Sequence, residues 1–177
     1  MKTTRVALGL GLLATVLAAC GTPPTATTLV ALGLEAQLAG DLTTAQDNYQ
    51  QAIKLDANSA VAHYDLGTVY DRHGKTSLAV GEYTAAVVID PTFTDALFNL
   101  AVDTAPTNPS SAKELYLKVV SEQSGFAAAW LNLGFILQTE GNASGARADW
   151  SKAVVIDPSL ASRIPHSPAV STPAPEA

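Results

Sequence analysis

Asp65-Leu66-Gly67-Thr68-Val69-Tyr70, followed by Ala79, Tyr83 and Asp90-Pro91, sits in a context that returns along the chain. Ala31-Leu32-Gly33, Asp65-Leu66-Gly67 and Asn132-Leu133-Gly134 share it. Leu100-Ala101 fills the interval, so the spacings are 34, 34 and 33 residues. A second series keeps the same period: Ala45 with Tyr49, Ala79 with Tyr83, Ala112 with Tyr116, and Ala146 with Trp150. A third is Ala52-Ile53, Ala86-Val87, Val119-Val120 and Ala153-Val154, ending at Asp56-Ala57, Asp90-Pro91 and Asp157-Pro158. Self-similarity at this period means a stack of like units, each burying its apolar face on its neighbours.

Within a unit the apolar residues recur at helical spacing. Trp130, Leu133 and Leu137 make one stripe, and His63, Leu66 and Tyr70 make its counterpart. In the second helix Ala79, Tyr83, Ala86 and Val87 form the buried side. Small residues let two helices approach, and one aromatic fills the space that remains. Gly40, Gly74 and Gly141 stand between the helices, where a left-handed residue ends the first one. Pro91 and Pro158 mark unit boundaries, since Pro suits a helix start better than its interior. The third unit is irregular: Pro106-Thr107-Asn108-Pro109 replaces the glycine, and Gln123-Ser124-Gly125 replaces the Asp-Pro boundary. Its first helix is expected to stop near Ala105, its second to be capped by Ser110 or Ser111, and the unit to be the most labile.

These residues resemble the tetratricopeptide repeat (TPR), whose pattern W-x₂-L-G-x₂-Y…A-x₃-F…P is met at its opening by Trp130, Leu133 and Gly134. In the second unit it is met by Leu66, Gly67, Tyr70, Ala79, Tyr83 and Pro91. The resemblance implies an all-α fold, a right-handed superhelical solenoid of about four helix-turn-helix repeats. Residues 28–159 hold them, at approximately 26–59, 60–93, 94–126 and 127–160.

The flanks read differently. Lys2 and Arg5 precede an apolar run from Val6 to Val16, the pattern of a secretory signal peptide. Val6 to Cys20 is too short for the roughly 20 apolar residues of a membrane-spanning helix. Leu17-Ala18-Ala19-Cys20-Gly21 resembles the lipobox of bacterial lipoproteins, and Cys20 is the only cysteine. The resemblance implies cleavage after residue 19, diacylglycerol on the Cys20 thiol and a further acyl chain, such as palmitate, on the new amine. Two or three chains anchor stably at about 0.8 kcal/mol per buried CH₂. The implied location is a bacterial cell envelope, lipid-anchored on the extracytoplasmic side of a membrane. Residues 20–27 then form a short linker of at most roughly 25 Å, and 164–177, with Pro165, Pro168, Pro173 and Pro175, a disordered tail.

Charge narrows the partners. The chain has 177 residues, 10 Lys and Arg, and 16 Asp and Glu. Loss of residues 1–19 removes Lys2 and Arg5 and leaves 8 basic residues against the same 16 acids. An acidic body without basic clusters is not expected to bind nucleic acid. Nor is it drawn to anionic lipid, so any membrane contact falls to the anchor. One cysteine excludes an internal disulfide and a multi-Cys zinc site.

No catalytic arrangement is expected, nor a metal or cofactor. His63 and His73 are ten residues apart and lack the i, i+4 geometry of a helical metal pair. His63 occupies the register of Trp130, which favours packing, and His73 is expected to be solvated. Asp65 and Asp71 have no nucleophile beside them. Asn142-Ala143-Ser144 matches a glycosylation triplet but reads as a turn.

What remains is a binding surface. The family's inner face is lined by first helices, which nominates Val30 and Leu34; Tyr64, Asp65 and Thr68; Phe98, Asn99 and Val102; Leu131, Asn132 and Phe135. No Lys or Arg stands among them, so the carboxylate grip of some family members is absent. Asp65, Asn99 and Asn132 can bond a peptide backbone while Tyr64, Phe98 and Phe135 touch its side chains; the alternative is that the aromatics only complete packing between repeats. Separately, Leu29, Val30, Leu34 and Leu38 of the first helix cannot all be covered, because no repeat precedes them. That exposes an apolar contact helix toward a second copy, a partner or the bilayer, unless the linker or the Pro-rich tail folds over it. The expected function is a membrane-anchored interaction scaffold or envelope assembly module for an unknown protein or peptide. The alternatives are a non-catalytic accessory subunit of an envelope enzyme and a self-associating structural lipoprotein.

Overall fold

A computed structural model describes residues 23–165. Residues 1–22, which include the expected signal peptide and Cys20, and residues 166–177 lie outside the described residues. The chain there forms eight α-helices: α1 (Ala26–Leu38), α2 (Leu42–Leu55), α3 (Ala60–Arg72), α4 (Thr76–Ile89), α5 (Thr94–Thr104), α6 (Pro109–Glu122), α7 (Ala127–Thr139) and α8 (Ala143–Ile156), then a 3₁₀ turn (Pro158–Arg163). Consecutive helices pair as antiparallel hairpins, and each hairpin's second helix packs on the next one's first.

Local chemistry sets the ends. Thr25, Asp41, Ser59, Asn108 and Asn142 cap α1, α2, α3, α6 and α8 by accepting a bond from a first-turn amide. Gly40, Gly74 and Gly141 have φ of 83°, 68° and 78° and end α1, α3 and α7. The residue after each donates back to the preceding helix, Asp41 to Ala36, Lys75 to Tyr70 and Asn142 to Leu137, in the Schellman pattern.

Two readings of these junctions need correction. The third hairpin's second helix is capped by Asn108, with Pro109 as its first residue, and not by Ser110 or Ser111. At the repeat boundaries the shaping residue is the aspartate. Asp56, Asp90 and Asp157 accept from the amides of Asn58, Thr92 and Ser159 at 3.0, 2.9 and 3.0 Å. Pro158 opens the 3₁₀ turn as a boundary proline should, whereas Pro91 lies in the Asp90 turn ahead of α5 and starts no helix. The Thr92 hydroxyl and amide hold the Asp90 carboxyl below its usual range.

The core is built from the small-residue and aromatic series. Ala45, Ala79, Ala112 and Ala146 are fully buried, as are Tyr49 and Tyr83; Tyr116 and Trp150 are nearly so. Each ring lies against the backbone of its partner helix. A Cβ on Gly33 would fall 2.5 Å from Tyr49, and one on Gly67 would fall 2.6 Å from Tyr83; Gly134 meets Trp150 still more closely. In the third hairpin Ala101 stands at this register, so Tyr116 is seated without that approach. His63 is half-buried and bonds Glu82 at 2.6 Å, while His73 is exposed.

Gly67→Ala should therefore destabilise by about 1–3 kcal/mol, since a ring or a helix must shift. Gly81→Ala, in α4 with nothing within 4 Å, should stabilise by about 0.4–1 kcal/mol. Urea denaturation of the two variants checks the contrast: equal losses would show that the glycine–aromatic approach is not what limits packing.

Candidate functional site: the inner face and the C-terminal groove

The first helices α1, α3, α5 and α7 line one face, and a ladder of polar contacts runs along it where the buried aromatics reach through. The Tyr49 hydroxyl donates to Gln37 Oε1 at 2.9 Å, and Gln37 donates to Thr68 Oγ1 at 3.2 Å. The Tyr83 hydroxyl donates to Asp71 Oδ2 at 2.7 Å and accepts from Asn99 at 3.4 Å. Asn132 donates to the Tyr116 hydroxyl at 3.0 Å, and Trp150 Nε1 donates to the Leu131 carbonyl at 3.2 Å. Burial raises the Tyr49 and Tyr83 phenols, and pushes Tyr116 up to about 12.

The nominated residues divide. Asn99 and Asn132 are already engaged by tyrosine hydroxyls of the repeat before their own. Tyr64 packs on Tyr83 and Phe93, Phe98 on Tyr116 and Phe126, and Phe135 on Trp150, with ring centroids 4.7 to 5.9 Å apart. Tyr64 and Phe98 fill space in their own hairpins and reach Phe93 and Phe126 at the boundaries that follow, Phe135 packs inside the last hairpin, and all three remain half-exposed. Leu131 is fully buried and does not line the face, because it packs with Trp150 inside the last hairpin. Val102 is 41% exposed and Leu34 46% exposed, so these are the apolar groups that the face offers most openly. In α1, Leu29 is buried and Val30 half-buried against the first hairpin, whereas Leu38 is 81% exposed.

Two further carboxylates belong to the face: Asp71, weighed from sequence only as a catalytic acid, and Asp103, not singled out at all. Asp71 sits under the Tyr83 hydroxyl, and Asp103 lies beside Asp71, with Oδ2 buried and no partner for it among the described residues. Burial, and then the neighbouring Asp71, pushes the Asp103 carboxyl up to about 6. Burial does the same to Asp65. Asp103 occupies the register of Val69 and Ile136, both buried core residues, and that comparison was the available signal.

A further concavity lies elsewhere. A groove of about 890 Å³ runs along α8, lined by Ala146, Arg147, Trp150, Ser151, Val154 and Val155, with Gln138 at one end and Ile164 and Pro165 at the other. Ile164, assigned to the tail on composition, instead packs with Leu160 on the last hairpin. No group of three or more His, Cys, Asp or Glu able to hold a metal occurs among the described residues. No helix among them is long and apolar enough to cross a membrane.

The comparisons agree with this architecture. A family model described as TPR repeat matches residues 38–74. The crystal structure of MamA superposes with a TM-score of 0.72 at 25% identity, covering 84% of this chain and 86% of that one. The fold is a TPR solenoid. MamA 41-end from Desulfovibrio magneticus RS-1 gives 0.66 at 20% identity, over 77% of each chain. The first TPR of Spaghetti (RPAP3), bound to the HSP90 peptide SRMEEVD, gives 0.61 at 22% identity, over 66% of this chain and 96% of that one. No curated protein matches the sequence. None of these comparisons indicates an enzyme family, and the TPR fold supports a protein–protein interaction scaffold.

The raised carboxyl gives a pH dependence of known sign. Asp103 binds its proton more tightly folded than unfolded. Its favourable contribution is therefore complete below about pH 4 and lost as pH rises through about 6. Asp103→Asn should stabilise the fold at pH 7 by roughly 1 kcal/mol, a figure discounted for solvent reaching the face. At pH 4 it should change little. Urea midpoints at the two pH values test this, and an equal effect at both would place the cost outside ionisation.

Proposed function

We propose that the chain is a lipid-anchored envelope protein that holds another polypeptide along its inner face, without chemistry of its own. The anchor reading rests on one observation: the chain's only cysteine, Cys20, follows Leu-Ala-Ala and precedes a short Pro- and Thr-containing linker that ends at the Thr25 cap of α1. The binding reading is supported by the exposed Leu34 and Val102 beside a polar ladder, and by a TPR neighbour bound to a peptide.

The ligand class differs from that neighbour's. A segment as acidic as SRMEEVD would meet Asp65, Asp71 and Asp103 on this face. Like charges there cost affinity. The segment that fits is neutral or basic, with apolar side chains for Leu34 and Val102. Self-association is the second reading, favoured by Leu38, 81% exposed on a helix whose only charged residue is Glu35.

Two measurements test the proposal. Intact mass of the membrane-extracted chain should show a start at Cys20 with acyl mass added, and Cys20→Ala should move the protein to the soluble fraction. A mature wild-type chain without lipid mass would end the anchor reading. A photocrosslinking residue at Val102 should trap a partner polypeptide in intact cells, and one at Leu117, exposed on α6, should not. Equal yields from the two positions would remove the inner face as the principal site. These substitutions spare Phe98 and Phe135, whose packing roles would confuse binding with unfolding.

A further inference from the structure

The groove on α8 is a helix seat left half full. Its lining residues recur at the i, i+3, i+4, i+7 spacing of a single helix face, from Ala143 to Val155. In the earlier hairpins this face of the second helix receives the next hairpin's first helix. Gln50 of α2 donates to the Tyr70 hydroxyl of α3 at 3.1 Å, and Lys113 of α6 bonds Glu140, at the end of α7, at 2.6 Å. By repeat register, Ser151 stands for Gln50 and Arg147 for Lys113.

After α8 the chain begins another such helix and stops. Asp157 makes the boundary turn, and Leu160 and Ile164 pack where Phe126 and Trp130 stand in the last repeat. Pro165 then holds Ile164 in extended backbone, φ −84° and ψ 129°, and helix propagation ends. No described residue covers the far half of the seat, around Ala143, Arg147 and Ser151. Arg147 is exposed and pairs with no carboxylate among the described residues.

We propose that this open half-seat docks a short helical segment of another polypeptide, about two turns long, with an apolar face and an acidic residue at its C-terminal end set against Arg147. The charge follows from the Lys113–Glu140 pair, the same contact one repeat earlier. A second copy of this chain fits less well. Its α1 would bring Ala39 to the register of Glu140, and the N-terminal half of α1 would meet Leu160 and Ile164. The chain's own sequence beyond Pro165 includes Pro168, Pro173 and Pro175, which a helical seat rejects. The groove lies apart from the inner face, so the inference stands whether or not a peptide binds there.

The probe is a fluorescent peptide copying residues 131–142, the segment that α6 already seats, titrated against the full chain by anisotropy. Its Glu140→Lys version should bind the wild-type chain at least threefold more weakly. Arg147→Glu should weaken the parent peptide by a similar factor and restore the Lys version. Ser151→Trp, which fills the groove, should abolish both while circular dichroism shows unchanged helicity. Absence of parent-peptide binding would overturn the proposal, as would indifference to the charge exchange. Dimerisation of the chain alone, lost in Ser151→Trp on sedimentation, would overturn it in favour of a second copy.

Discussion

Everything in this fold depends on how closely the two helices of a hairpin approach. In three hairpins an aromatic ring of the second helix lies against a glycine of the first, at a distance no side chain on that glycine could share. The other side of the ring is covered within its own hairpin, by Tyr64 on Tyr83 and by Phe135 on Trp150. The close approach therefore fixes the hairpin, and the tyrosine hydroxyls it presents tie one repeat to the next through Gln37 and Thr68 and through Asn99. Ala101 relaxes this arrangement in the third hairpin, whose first helix is also the shortest, at 11 residues.

Burying tyrosines creates a polar obligation, since each hydroxyl must find a partner on the inner face. Gln37, Asp71, Asn99 and Asn132 meet it. The consequence for function is that part of the face's polarity is committed to structure. What a ligand finds is the residue of this arrangement: exposed aliphatic groups at Leu34 and Val102, and carboxylates at Asp65, Asp71 and Asp103. Asp103 is the costly member, occupying a core register beside another acid, and it lies where the array is least regular.

The repeat was legible because close packing dictates residue size, and size is visible in a sequence. Gly33, Gly67 and Gly134 against Tyr49, Tyr83 and Trp150 carry the architecture at a constant period. Junction chemistry was harder to read. Asn108 and Pro109 share a tight turn with two serines that can also cap, and Pro91 obscured the part played by Asp90. The inner face was legible as a list of positions but not as a surface, because packing and exposure compete for the same aromatic rings. Leu131 shows this plainly: its register matches Phe98 and Tyr64, yet its side chain turns inward. The α8 groove was not legible from any local pattern, since it exists only because a helix fails to continue past Ile164.

The two ends of the array are thus unlike each other in a way that bears on assembly. A solenoid needs capped ends to remain soluble, and among the described residues neither end is fully closed. At the first, α1 buries Leu29 but leaves Leu38 open and carries no cation. At the last, Leu160 and Ile164 cover half of the α8 face and leave Arg147 beside an apolar trough. With a lipid on Cys20, a linker of at most roughly 25 Å holds the first end near the bilayer. The last end lies three repeats away along the array. An apolar end beside the membrane and a basic, helix-shaped end at the other extreme would let one anchored molecule make two contacts without competition. The inner face between them would remain open to a third.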